Sequence, residues 1–271
     1  MNTEISLPVK RPFNWKSYLF LVVILIPSVY AVLPYSLSLT STALNLGEWL
    51  SFLALNMVNV AIYAALAGIG LFLGTRIGLG LPFVERWVKK EPVRDIFLKV
   101  LVFSIIAGAV VGVVIIVLDV IIFGPLLQAE FENLHVILPE TANPPAWQGF
   151  LASFYGGIVE EVLLRLFLMT ALAFLGSLVF RDSEGRPTGT VLWSANILAA
   201  IIFGLGHLPT ALAIGVPLTT LFITRTVVLN GLGGVVFGWL YWTRGLESAM
   251  VAHFSTDIVL HVLFVMILSL L

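Results

Sequence analysis

Glu160, Glu161 and Arg165 stand together inside a long apolar run, and His207, Asn230, His253 and Asp257 stand in three later ones. A charged group at the centre of a bilayer costs roughly 2.5–3.5 kcal/mol. Side chains of these types in such runs should therefore face one another or a wet cavity. Carboxylates and imidazoles gathered in this way can do general acid–base chemistry. A glutamate can take a proton from water, and the hydroxide-like oxygen can then attack a carbonyl. A histidine and a protonated aspartic acid can donate hydrogen bonds to the oxyanion that develops. The alternative for Asp257 is to orient His253, and the sequence leaves both open.

Helical spacing divides the roles. Glu161 and Arg165 are four residues apart and share a face, which suits an internal ion pair. Glu160 points about 100° away from that face and is left for other work. Phe203 and His207 are also four apart, so the phenyl ring can pack on the imidazole and limit its rotamers. His253 and Asp257 are one turn apart and can aim at one locus.

These residues need helices to hold them, and the composition says of what kind. The chain has 271 residues, 59% hydrophobic and 11% charged, where soluble domains carry about 25% charged residues. So few charges cannot cover a soluble surface, and an all-α polytopic membrane protein is the expected class. A net charge of -1 offers no basic footprint for nucleic acid. The absence of cysteine excludes disulfides, thiolate nucleophiles and thiolate-held metals.

A span needs about 20 mostly apolar residues. Seven candidates emerge, near residues 18–36, 50–74, 98–123, 147–180, 191–208, 218–242 and 246–270. The fourth is long, and splitting it would give eight. The first follows Lys10, Arg11 and Lys16 without a small-residue cleavage site, and reads as a retained span. Placing the N-terminus in the cytoplasm puts Lys10, Arg11, Lys16, Arg76, Arg86, Lys89, Lys90, Arg94, Lys99, Arg181, Arg186 and Arg244 on that side, 12 of the 14 basic residues. The opposite side receives Glu48, Glu130, Glu132 and Glu140. This segregation follows the positive-inside rule and places the C-terminus on the far side. Trp15, Tyr18, Trp49, Trp87, Trp147, Trp239, Tyr241 and Trp242 are candidate interface markers. Gly108/Gly112 and Gly234/Gly238 are small pairs that would let helices approach closely. The basic loop 75–99 is expected to hold a short amphipathic helix near 83–93, and the acidic, proline-bearing stretch 124–146 reads as a connection. No repeat and no linker divides the chain, so residues 1–271 read as one membrane domain.

The chemistry-bearing residues also form motifs in a recognisable order. Glu-Glu-x-x-x-Arg covers Glu160, Glu161 and Arg165; Phe-x-x-x-His covers Phe203 and His207; and His-x-x-x-Asp covers His253 and Asp257. Asn230 lies in an Asn-Gly pair before the last of these. In this the chain resembles the CAAX-protease and bacteriocin-processing family, the type II CAAX prenyl endopeptidases and their bacterial and archaeal relatives. The likeness covers residues 149–262, the expected catalytic core, and residues 1–146 carry no readable signature.

The resemblance implies a CAAX-protease-like helical bundle with an intramembrane polar cavity. It implies a glutamic endopeptidase without cofactor or metal, acting on a peptide or membrane-protein substrate near a C-terminus or membrane-proximal segment. Glu160 and His207 would activate water, and His253 and Asp257 would stabilise the oxyanion. Glu161, Arg165, Phe203 and Asn230 would support them. Asp257 stands where the eukaryotic prenyl-protein members carry Asn. Leu164 and Leu166 flank the arginine where an aromatic residue and Gly are common. Both departures bear on prenyl specificity. The expected setting is a prokaryotic cytoplasmic membrane.

Other readings remain beside this one. Glu160, His207 and His253 could form a two-His, one-carboxylate zinc site, though no His-Glu-x-x-His motif is present. Intramembrane charges also suit a proton-coupled transporter, but the two halves show no inverted repeat. A non-catalytic scaffold would keep the same cluster for packing or partner recognition. Among single residues, His135 reads as solvated, His261 as a packing residue, Asp119 as near the interface and Asn230 as an interhelical hydrogen-bonding group. Arg225 either snorkels or meets an anion such as a peptide carboxylate.

Overall fold

Helices formed by long apolar runs with capped ends account for nearly all of the structure, a computed structural model that describes residues 7–40, 42–136 and 144–270. They are α1 (Trp15–Ala31), α2 (Leu33–Leu39), α3 (Leu46–Ile77), α4 (Pro82–Val88), α5 (Arg94–Leu118), α6 (Gly124–Asn133), α7 (Ala146–Phe154), α8 (Thr170–Ser177), α9 (Gly189–Leu205), α10 (Leu208–Ala213), α11 (Thr220–Arg244), α12 (Leu246–Asp257) and α13 (Phe264–Leu268). Among the described residues, pairing of the β type is limited to one isolated bridge, Arg181 with Pro187.

The starts of four of these helices are written in polar side chains. Asn14 accepts from the amides of Lys16 and Ser17. Asn45 and Glu48 form a reciprocal box at the head of α3, which satisfies two amides that a helix leaves without partners. Thr188 and Thr219 cap α9 and α11 by accepting from the amides of Val191 and Phe222.

Six helical rods are long and apolar enough to cross a membrane: Trp15–Leu39, Leu46–Ile77, Arg94–Asn133, Gly189–Ala213, Thr220–Arg244 and Leu246–Leu268. The protein is an integral membrane protein. A further continuous helical run, 146–177, carries Glu160, Glu161 and Arg165 midway. Six rods and this run coincide with the seven expected spans.

Two loop expectations need correction. The stretch after residue 123 is not a plain connection, because α6 extends the third rod to Asn133. A π-helical turn at Asp119–Phe123 precedes it, and Pro125 sits in the first turn of α6, where its missing N–H costs least. Residues 137–143, with Glu140, lie outside the described part of the chain. The amphipathic helix between the second and third rods runs Pro82–Val88 and not to 93. Lys90 takes a positive φ of 58°, and Pro92 disfavours helix in the residue before it.

Small residues bring the rods together. A Cβ on Gly108 would overlap the Ala252 carbonyl, and one on Gly112 would meet Val259 and Thr256, so α5 lies against the last rod. Gly234 and Gly238 make room for Ala200 and Asn196, which fits α11 against α9. Both small-residue pairs therefore lie at helix contacts. The core runs through Leu21, Leu25, Ala67, Leu71, Val159, Leu166, Phe237 and Ala249. Of the aromatic interface markers, Trp15, Trp87 and Trp147 are exposed, whereas Tyr241 is buried. Its hydroxyl lies 2.7 Å from that of Thr170.

Candidate active site

The run 146–177 departs from α geometry where its charges lie. Residues Tyr155–Glu160 and Val162–Met169 are π-helical, and another such segment, Ile258–Leu263, begins right after Asp257. The wider turn lets the Thr170 hydroxyl reach back five residues to the Arg165 carbonyl, at 3.0 Å. Such turns recur at functional sites because they redirect side chains without ending the helix.

His253 is the hub. Its Nδ1 lies 2.7 Å from Glu161 Oε1. The same carboxylate oxygen lies 3.1 Å from Arg165 Nη1. Arg165 Nη2 in turn donates to the Gly234 carbonyl at 3.0 Å. Glu161 and Arg165 are essentially inaccessible, at 0% and 1% side-chain exposure. The guanidinium stacks over Phe203 and Phe237, 5.0 and 5.5 Å from their centroids, an arrangement that favours a cation. Phe237 lies parallel to the His253 ring at 4.6 Å, and Phe203 meets it edge-on at 5.5 Å. The imidazole is thus fixed in plane and in tilt.

Its other nitrogen faces two more carboxylates. Nε2 is 3.6 Å from Glu160 Oε2 and 3.7 Å from Asp257 Oδ1. These separations exceed a direct hydrogen bond and suit one bridging oxygen. Glu160 differs from its neighbour Glu161 in that 23% of its side chain is exposed. Gly156 is what permits the convergence, since a Cβ there would run into Asp257 Oδ2 and crowd His253 Nε2.

His207 stands at the C-terminal end of α9, with Phe203 packed edge-on against it at 4.9 Å. Its Nδ1 lies 2.9 Å from the Phe203 carbonyl oxygen. A carbonyl only accepts, so that nitrogen carries the proton, and Nε2 is the acceptor when the ring is neutral. Within 4 Å the ion partner of Glu160 is His253 and not His207.

Glu160, His207, Asn230, His253 and Asp257 line one cavity of about 750 Å³, within the range of roughly 300–1,000 Å³ for ligand sites. Residues of the first two rods also contribute to its wall, among them Tyr35, Asn56 and Tyr63. The Tyr63 hydroxyl lies 3.4 Å from that of Tyr155. His261 lines the same cavity with Nδ1 3.5 Å from the Tyr35 hydroxyl. Asn230 donates to the Thr226 carbonyl of its own helix at 2.8 Å, a local bond and not an interhelical one. Arg225 does not stand alone: Asp119 receives both its Nε, at 2.6 Å, and its Nη2. His135 takes a positive φ of 54° just after α6. Among the described residues, no group of three or more His, Asp or Glu side chains is arranged to hold a metal ion.

Spacing anticipated the Glu161–Arg165 pair but not the bond from Glu161 to His253, 92 positions away. Phe237 and Tyr155 were also missed. Tyr155 precedes Glu160 by five residues, a spacing that shares a face only in a π turn.

Residues 142–259 match the family described as type II CAAX prenyl endopeptidase Rce1-like, so the chain contains a domain of the CAAX protease family there. No curated protein and no solved structure matches the chain.

Proposed function

We propose that the Rce1-like domain at 142–259 makes this protein an intramembrane glutamic endopeptidase. The observation that carries the reading is the cavity-facing Nε2 of His253, aimed at Glu160 and Asp257 while Glu161 holds the opposite nitrogen.

In this reading a water molecule binds between Glu160 and His207. Glu160 takes one of its protons, and the Nε2 lone pair of His207 orients it. The water oxygen attacks the carbonyl carbon of the peptide bond. His253 donates from Nε2 to the oxyanion, its positive charge balanced by the Glu161 carboxylate. Protonated Asp257 donates beside it, or ionised Asp257 holds the His253 ring. Glu160 then returns its proton to the leaving amide nitrogen, the carbon–nitrogen bond breaks, and a carboxyl group and an amine are released. Arg165 and Glu161 act through His253 and are positioning residues. Each step uses side chains of this chain alone.

The test is a mixed library of prenylated and unmodified peptides, digested by purified protein in detergent or liposomes and read by mass spectrometry. The reading expects defined cleavage products that persist in a metal chelator and disappear with His253→Ala. Products lost to the chelator and restored by zinc would replace it with a metalloprotease reading. A folded protein that cleaves nothing in the library would move the cluster to a packing or recognition role.

A further inference from the structure

We infer that the substrate reaches this site from the extracytoplasmic face, so that the peptides cleaved are exported or membrane-inserted segments on that side. This rests on the peptidase reading above and adds the source of its substrate.

The cavity has an end. Its wall takes residues 29–39 from the close of the first rod, 52–63 from the opening half of α3, and 115–120 from the later half of the third rod. It takes 203–210 from the close of the fifth span and 225–237 from the opening half of α11. Consecutive rods alternate in direction, so these stretches all lie toward one face of the bundle. On that face the rim is partly open: Thr210 is exposed, and Asp119 and Arg225 keep 31% and 29% of their side-chain surface.

The other face is closed. Helix α4 begins at Pro82 beside the start of α12, where the Leu246 amide donates to the Gly80 carbonyl at 3.0 Å. Glu247 Oε1 accepts from the Phe83 and Val84 amides at 3.0 and 2.9 Å. Arg11 folds over the end of α3, donating to the Leu79 carbonyl at 2.7 Å and to Glu85 at 3.0 Å. Leu7, Leu79, Leu81 and Phe83 are buried in this plug.

Charge says which face is which. The plugged face carries the 12 basic residues of the flanking segments, whereas the open face has Arg225 alone, paired with Asp119. Lys and Arg flanking spans are retained in the cytoplasm. The plug is therefore cytoplasmic, and the open rim faces away from it.

The natural absence of cysteine makes this directly testable. Single cysteines are placed at Thr210 on the rim, at Asn59 within the cavity wall and at Ser183 in the basic loop, as T210C, N59C and S183C. Each variant, expressed in bacteria, is exposed to a membrane-impermeant thiol reagent in intact spheroplasts and in inverted vesicles. The inference expects T210C and N59C to be labelled in spheroplasts as fully as after permeabilisation, and S183C only in inverted vesicles. Labelling of N59C only from inverted vesicles, or from neither face, overturns it. Labelling does not depend on turnover. Failed cleavage with extracytoplasmic labelling would sink the peptidase reading alone, and cleavage with cytoplasmic labelling would sink the sidedness alone.

Discussion

Acidic residues sit at both faces of this bundle, but they are used differently. At the plugged face Glu85 holds Arg11, and Glu247 caps the first turn of α4. Their contacts are hydrogen bonds of 2.9–3.3 Å, and what they do is fasten segments together. In the cavity Glu160 and Asp257 stop 3.6 and 3.7 Å short of the nearest imidazole nitrogen, with one side open to the cavity. Glu161, next to Glu160 in sequence, belongs with the fasteners, because it is fully buried between Arg165 and His253. The difference shows that residue type does not decide whether a buried carboxylate is structural or chemical. What decides it is whether at least one of its oxygens is committed to fixed partners, as Oε1 is in Glu161 and in Glu247.

Breaking the fasteners sharpens the contrast. The largest loss of stability is expected from Arg165→Ala, which leaves Glu161 charged and without its arginine in an inaccessible site. Removing one partner of a buried pair costs about 3–5 kcal/mol, and thermal unfolding in detergent, with accumulation in membranes, reads the effect. An unchanged midpoint would mean that the pair holds nothing together. Glu247→Ala is a smaller break. It removes an acceptor for two helix-start amides, comparable to a lost N-cap at about 0.5–2 kcal/mol. Stability should fall while cleavage by the folded fraction is retained, since the plug lies away from the cavity. Asp119→Asn should do least. Its pair with Arg225 is about one-third exposed, where ion pairs contribute roughly 0–1 kcal/mol, and unfolding should shift little. A large shift there would place the rim pair among the fasteners.

Much of the architecture was legible beforehand because a bilayer imposes one rule on every span. Apolar length located all seven helical runs, and the proposed sidedness rests on the charge asymmetry of the loops. Motif spacing located the residues that line the cavity. The tertiary links were not legible. Nothing in the local sequence ties Glu161 to His253, because that bond forms only when α12 packs against the run 146–177. The π turns at Tyr155–Glu160 and after Asp257 add a residue to the helical repeat, and a 3.6-residue wheel misplaces side chains across them. Arg225 was expected to snorkel or to meet an anion such as a peptide carboxylate, because its partner Asp119 lies 106 positions away. The N-terminal rods carry no motif, yet they line the cavity with Tyr35, Asn56 and Tyr63, whose types are unremarkable in a membrane helix.

The central claim is that two adjacent glutamates have opposite jobs, so the most direct measurement compares them. Glu160→Gln and Glu161→Gln are purified side by side, and each is measured for peptide cleavage and for its unfolding midpoint. The account predicts that Glu160→Gln loses turnover by about 10²–10⁴-fold, the usual contribution of a general base, while unfolding at the wild-type midpoint. It predicts that Glu161→Gln unfolds at a lower temperature. Wild-type turnover by Glu160→Gln, or a fall in its midpoint as large as that of Glu161→Gln, would contradict it.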